Sequence, residues 1–195
     1  MRQLIHHEPQ LVLYLGAMAS GKSTRLVLDL DRFVRQGKSV AAFKPSIDDR
    51  YSAVDIATHS GDRFPAVAIE STADMFAHLA SMDEPANIVG VDELFMLKGM
   101  GSALVWLFRN GVTVVAASLD LSYTCKPFDE VQDVVPFATR IEKLAAVCDQ
   151  CGADARFTHK KLTDDTDTEI RVGGFEMYAP RCMSHHPLMS DDAKP

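Results

Sequence analysis

Between residues 11 and 24 the chain reads Leu11-Val12-Leu13-Tyr14-Leu15, then Gly16-Ala17-Met18-Ala19-Ser20-Gly21-Lys22-Ser23-Thr24. The apolar run fits a strand buried on both faces. From about Ser23 to Gln36 a helical period follows, with Leu26, Leu30, Phe33 and Val34 on one face. Strand, glycine-rich loop and helix in that order aim backbone amides and a helix N-terminus at one point, where a phosphate can sit. The glycines let the backbone wrap that phosphate without a clashing Cβ. Lys22 supplies a point charge for β/γ oxygens, and the Ser23 hydroxyl is placed to ligate Mg²⁺. A glycine-rich turn with no ligand is the alternative, and the strand–loop–helix context disfavours it.

The neighbouring elements build the same frame. Gly37 closes the first helix, and Val40 to Phe43 reads as the next strand. Ile88-Val89-Gly90-Val91 is a strand ending at Asp92. Ala103 to Asn110 reads as a helix stopped by Gly111, and Val112 to Ala117 as a β-branched strand. Apolar strands alternating with helices imply an α/β fold, a parallel sheet covered on both faces. Asp92, at a strand end, is placed to hold magnesium through water. Glu93 follows directly, and adjacent residues in an extended chain point to opposite sides, so the two acids do different jobs: one faces the metal and the other can take a proton from a nucleophile.

After about Ile141-Glu142-Lys143-Leu144 the pattern changes to short strands and turn residues. A chain of 195 residues has room for one α/β domain and a small appendage. We therefore expect a core over 1–145, a second unit over 146–188 and a disordered tail over 189–195, with Asp164 to Thr168 a solvated turn. In the second unit, Cys148-Asp149-Gln150-Cys151 precedes Cys182-Met183-Ser184-His185 by about thirty residues. Two such pairs can each give two corners of a tetrahedral, structural Zn²⁺ site. Spacing favours His185 over His186 as the fourth ligand. A redox reading of the first pair lacks a thioredoxin-like context, and Cys125 stands apart as a plain thiol.

A formal net charge of −7 argues against broad electrostatic capture of nucleic acid or an anionic membrane. No apolar stretch approaches the roughly 20 residues of a membrane span. The first residues lack the pattern of a secretory signal, so a cytoplasmic setting is expected.

Taken in order and spacing, several stretches resemble the zinc-containing thymidine kinase family from about Leu11 to His186. They are Gly16 to Thr24, Lys44-Pro45-Ser46-Ile47-Asp48-Asp49-Arg50-Tyr51, Val91-Asp92-Glu93, Leu119-Asp120 through Lys126-Pro127-Phe128, Cys148 to Ala155, and Val172-Gly173-Gly174 with Tyr178 before Cys182. The resemblance implies a P-loop core with a RecA-like sheet and a zinc-held β-ribbon carrying a lasso loop over the nucleoside. It also implies γ-phosphate transfer from ATP to the 5′-hydroxyl of thymidine or deoxyuridine, and assembly as a homotetramer. Glu93 matches the catalytic base, while Asp48 and Arg50 match residues near the phosphates. Met18, Tyr123, Phe128, Thr158, Arg171, Val172, Gly173 and Tyr178 match the nucleoside pocket. For the three aromatics the competing reading is plain core packing.

The sequence also departs from the family. Ala19 stands where phenylalanine is usual, Leu94-Phe95-Met96 follows the Asp-Glu pair, and Thr124-Cys125-Lys126 replaces a stretch that often carries arginine or glycine. Base specificity is thus less constrained than phosphoryl transfer. Two other classes compete with the kinase: a RecA-like ATPase whose zinc ribbon contacts nucleic acid or protein, and a catalytically silent nucleotide-binding subunit. Acidic charge opposes the first, and intact Lys22, Ser23, Asp92 and Glu93 oppose the second.

Overall fold

The computed structural model describes residues 8–48, 54–58, 61–161 and 173–190. In chain order the elements are β1 (Leu11–Gly16), α1 (Lys22–Arg35), β2 (Val40–Pro45), β3 (Asp55–Ala57), β4 (Arg63–Pro65), β5 (Val67–Ile69), α2 (Thr72–Ser81), β6 (Ile88–Val91), α3 (Met100–Arg109), β7 (Thr113–Ser118), α4 (Asp129–Val134), β8 (Arg140–Leu144), β9 (Ala146–Val147), β10 (Asp154–Ala155), β11 (Phe157–Lys160) and β12 (Tyr178–Arg181). Six strands form one sheet in the order β5-β2-β6-β7-β1-β8, and every pairing within it is parallel.

Alternation along the strands explains the two covered faces. Leu11, Leu13 and Leu15 of β1 join Phe43, Val89, Val91, Val114 and Ala116 in one cluster, closed by Met75 of α2 and Leu104 and Leu107 of α3. Val12 and Tyr14 point the other way, into a cluster with Ala42, Ile88, Val115 and Ala117 that α1 covers through Leu26, Val27 and Leu30. At Gly90 the helix lies so close that a Cβ would meet the Leu30 side chain at 2.7 Å. Phe33 packs on this face as expected, whereas Val34, in the last turn, is half exposed.

Several elements carry no strong apolar period. The hairpin β3–β4, strand β5 and helix α2 fill the stretch between β2 and β6. Helix α2 opens on a reciprocal cap in which Ser71 Oγ accepts from the Asp74 amide and the Asp74 carboxylate accepts from the Ser71 amide. Helix α3 begins at Met100, earlier than expected, because its N-terminus is satisfied from far along the chain. The Glu130 carboxylate accepts from the amides of Gly99 at 2.6 Å and Gly101 at 2.9 Å. Strand β8 forms the sheet's edge beside β1. Its Arg140 joins Asp29 of α1, to which the buried Tyr14 hydroxyl donates at 2.6 Å.

Past β8 the chain builds two small two-stranded sheets, β9–β10 and β11–β12. Met189 and Ser190, expected in the tail, turn back with both amides on the His186 carbonyl. Arg50, Arg171, Val172, the Asp164–Thr168 stretch and residues 191–195 lie outside the described residues.

Candidate active site and metal knuckle

The loop between β1 and α1 is shaped by its surroundings. Gly16 has φ 148°, and a Cβ there would lie 2.3 Å from the Leu144 carbonyl oxygen of β8. Only glycine fits between the two strand ends. Gly21, also left-handed at φ 83°, turns the chain into α1. Ala19 shares this conformation at φ 61°. Lys22 is buried, and its Nζ donates to the Ala17 carbonyl at 2.8 Å, which holds the ammonium inside the curve of the loop. Thr24 is half-buried in the first turn of α1.

One strand, β7, separates β1 from β6, and Asp92 extends from the end of β6. Its Oδ1 accepts from the Ser23 hydroxyl at 3.0 Å. Asp92 is buried and its carboxyl is pushed up to about 7. Desolvation is the main cause, the Glu93 charge adds to it, and the Ser23 bond and Lys22 oppose it. Asp48, also buried, stands near enough to raise it further. Two oxygen donors touching one another beside a lysine and two more carboxylates fit a hard, oxygen-seeking cation such as Mg²⁺.

The local backbone at Glu93 departs from the expected alternation. Asp92 and Glu93 are not a continued strand; Glu93 is left-handed, at φ 49° and ψ 45°. That conformation costs a non-glycine residue roughly 1–2 kcal/mol. Such strain collects at functional sites. It swings the chain into a 3₁₀ turn over Leu94–Met96 and keeps the two carboxylates close enough to repel. Glu93 Oε2 is itself buried.

One of the residues matched to a nucleoside pocket, Met18, lies in the loop itself and meets another. The Met18 amide donates to Thr158 Oγ1 of β11 at 3.1 Å. Lys160, two residues on, sits 5.2 Å over the Tyr123 ring. Phe128 is buried and packs on Phe95 with ring centroids 4.5 Å apart, so one substituted position, Phe95, lies directly against a matched one. Tyr178 is buried opposite Lys160 in the β11–β12 ladder. Gly173 packs against Met177. Met18, Thr158 and Tyr123 are thus brought together through β11, with Tyr178 across the hairpin, whereas Phe128 belongs to the apolar core cluster that α3 covers, as plain core packing would have it.

The knuckle is formed by Cys148, Cys151, Cys182 and His185, whose ligand atoms all lie within 4.8 Å of one another. Cys151 Sγ to Cys182 Sγ is 3.7 Å, and His185 Nδ1 is 3.8 Å from Cys148 Sγ and 3.2 Å from Cys182 Sγ. A tetrahedron with bonds of about 2.3 Å has edges of about 3.8 Å, so the spacing suits a four-coordinate soft metal. Desolvation alone would raise the Cys148 thiol, but backbone amides of Cys182, Gln150 and Cys151 outweigh it and bring it down to about 6. That favours the thiolate a metal needs. His186 takes no part in this group. It is buried at 1% exposure with Nε2 on the Thr158 carbonyl at 3.2 Å. Sequence reasoning considered it only as a ligand, because its partner is a main-chain atom that no side-chain motif announces.

A family model described as thymidine kinase matches residues 9–186. The chain belongs to the thymidine kinase family. Relatives named thymidine kinase include one from Deinococcus deserti, 34% identical over 90% of this chain and 93% of its own length. Another, from Pyrobaculum aerophilum, is 35% identical over 91% and 98%, and one from Chloroflexus aurantiacus is 34% identical over 86% and 89%. Among solved structures, an ATPase domain superimposes at a TM-score of 0.49 with 12% identity, over 71% of this chain and 70% of that one. As a thymidine kinase family member the chain is an ATP-dependent nucleoside kinase, a phosphotransferase. Neither the nucleic-acid ATPase nor the silent subunit is favoured. No helix among the described residues is long and apolar enough to cross a membrane.

Proposed function

We propose that the chain transfers the γ-phosphate of ATP to the 5′-hydroxyl of thymidine or deoxyuridine. The observation that carries this is the meeting of Ser23 with Asp92 at 3.0 Å, with Glu93 next in the chain and the Met18–Thr158 contact beside them. In this reading residues 16–24 cradle the triphosphate, and Lys22 offsets charge on its β and γ oxygens. Ser23 and Asp92 hold Mg²⁺, which when bound neutralises charge on the transferring group. Asp48 and Arg50 act near the phosphates.

Glu93 accepts the proton of the 5′-hydroxyl as that oxygen bonds to the γ-phosphorus and the bond to the β–γ bridging oxygen breaks, releasing ADP. A loose transfer of this kind asks for positioning and charge compensation more than covalent help. Met18, Tyr123, Phe128, Thr158, Arg171, Val172, Gly173 and Tyr178 hold the nucleoside. Cys148, Cys151, Cys182 and His185 hold one structural Zn²⁺. The chain works as a core over 1–145 capped by a ribbon over 146–188, in the cytoplasm, as a homotetramer.

The test is incubation with Mg-ATP and a panel of nucleosides, following ADP and nucleoside monophosphate. ADP release that depends on a pyrimidine deoxynucleoside supports the proposal. ADP release indifferent to nucleosides, or none, refutes it.

A further inference from the structure

A continuous line of hydrogen bonds joins the neighbourhood of the metal knuckle to the phosphate loop. The Leu188 amide donates to His186 Nδ1 at 3.3 Å, which leaves the ring proton on Nε2. Nε2 then donates to the Thr158 carbonyl at 3.2 Å, and the Thr158 hydroxyl oxygen accepts from the Met18 amide at 3.1 Å. The His186 ring is wedged between Phe157 and His159, with Cys125 Sγ 3.6 Å from Nδ1 and 3.9 Å from Nε2.

The register of the hairpin explains why a histidine is needed. The Lys161 amide donates to the Met177 carbonyl at 2.8 Å, just beyond the ladder that pairs Lys160 with Tyr178 and Thr158 with Pro180. Hydrogen-bonded and non-bonded pairs alternate in an antiparallel ladder, so Thr158 and Pro180 form a non-bonded pair. The Thr158 carbonyl therefore points away from β12. On that side β11 has no strand neighbour among the described residues. A buried carbonyl requires a donor, and His186 supplies it.

We propose that His186 is a positioning residue. It fixes the Thr158 main chain so that the hydroxyl stays on the Met18 amide, coupling the ribbon's fold to the shape of the phosphate loop at its nucleoside side. The kinetic part of this rests on the proposed kinase reading; the coupling itself does not.

The experiment compares wild type with His186→Phe, which keeps a ring but has no donor, and His186→Gln, whose amide nitrogen can reach the same carbonyl. Hydrogen exchange of the Met18 amide in the nucleotide-free protein is read by NMR, with metal content measured on each sample. The unsatisfied carbonyl should speed exchange in His186→Phe by about tenfold or more, with His186→Gln near wild type. Nucleoside KM should rise by a similar factor in His186→Phe while kcat and the KM for ATP stay within about twofold.

Equal exchange in all three proteins overturns the proposal, as does equal damage by both substitutions. Should His186→Phe release its metal, His186→Met, a donor-free side chain without the ring, decides instead: faster Met18 exchange with metal retained supports the coupling, and unchanged exchange overturns it. A wild-type protein that phosphorylates no nucleoside would refute the kinase reading, yet the exchange data would still judge the coupling.

Discussion

Around the phosphate loop, two apolar layers on opposite faces of a six-stranded sheet hold a buried lysine and two buried aspartates in place. Around the knuckle, the buried apolar cluster among the described residues is Ala146, Cys148, Ala155 and Cys182, and half of it is cysteine. The first region fixes polar groups by surrounding them with packed hydrocarbon, which tolerates the electrostatic cost of a carboxyl pushed up to about 7. The second, among the described residues, buries little apolar surface, and its four clustered Cys/His ligand atoms offer a metal the ordering role instead. The contrast teaches that the phosphate-loop region and the ribbon draw their order from different sources and meet where the Met18 amide reaches Thr158.

Metal loss should separate the two regions most sharply. Ligation energies in structural zinc sites run to about 10 kcal/mol or more, so Cys151→Ala is expected to lose the metal and disorder the ribbon while the sheet persists. Limited proteolysis and circular dichroism check this; cooperative loss of both regions would break the comparison. Next in size is Glu93→Gln, expected to lower kcat by about 10²–10⁴-fold with ATP affinity kept. Rapid-quench assays and calorimetry together measure it.

Asp92 tests the cost carried by the core. Its folded pKa of about 7 lies above the ordinary aspartate value of 3.8, so the folded state keeps this proton to higher pH than the unfolded chain. Stability attached to it is fully present below about pH 4 and is lost as pH rises towards 7. In nucleotide-free protein, Asp92→Asn should remove a loss on the order of a few kcal/mol across that window, measured as the difference between wild-type and variant denaturation midpoints. The smallest effect is expected at the ribbon's contact with Tyr123. Lys160→Met removes a cation–π contact worth about 0.5–1 kcal/mol, raising nucleoside KM by less than about tenfold.

How much could be read beforehand follows the same division. The sheet's central strands and the loop were legible because apolar runs, glycines and the Lys22-Ser23 pair are local signals. The Cys/His ligand set was legible from spacing alone. Helix α2 carries a readable signature, Ser71 followed by Asp74, which its weak apolar period masks. The true start of α3 was not legible, since Glu130 caps it from a distant segment. Nor was the left-handed turn at Glu93, which replaced an assumed extended pair with a bend that holds both carboxylates together. The role of His186 was hidden for a similar reason: its partner is a carbonyl selected by strand register.

The Leu144 oxygen pressed against Gly16 has a bearing on genetic screens. Any larger residue at position 16 would press on the outermost strand at Leu144 and on Ser20 of the loop at once. Inactive alleles found there would report on the sheet margin as well as on the loop, and reading them as lost phosphate recognition alone would misplace part of the defect. Substitutions at Gly21, where an added Cβ meets nothing within 4 Å, are the cleaner probe of the loop's own shape.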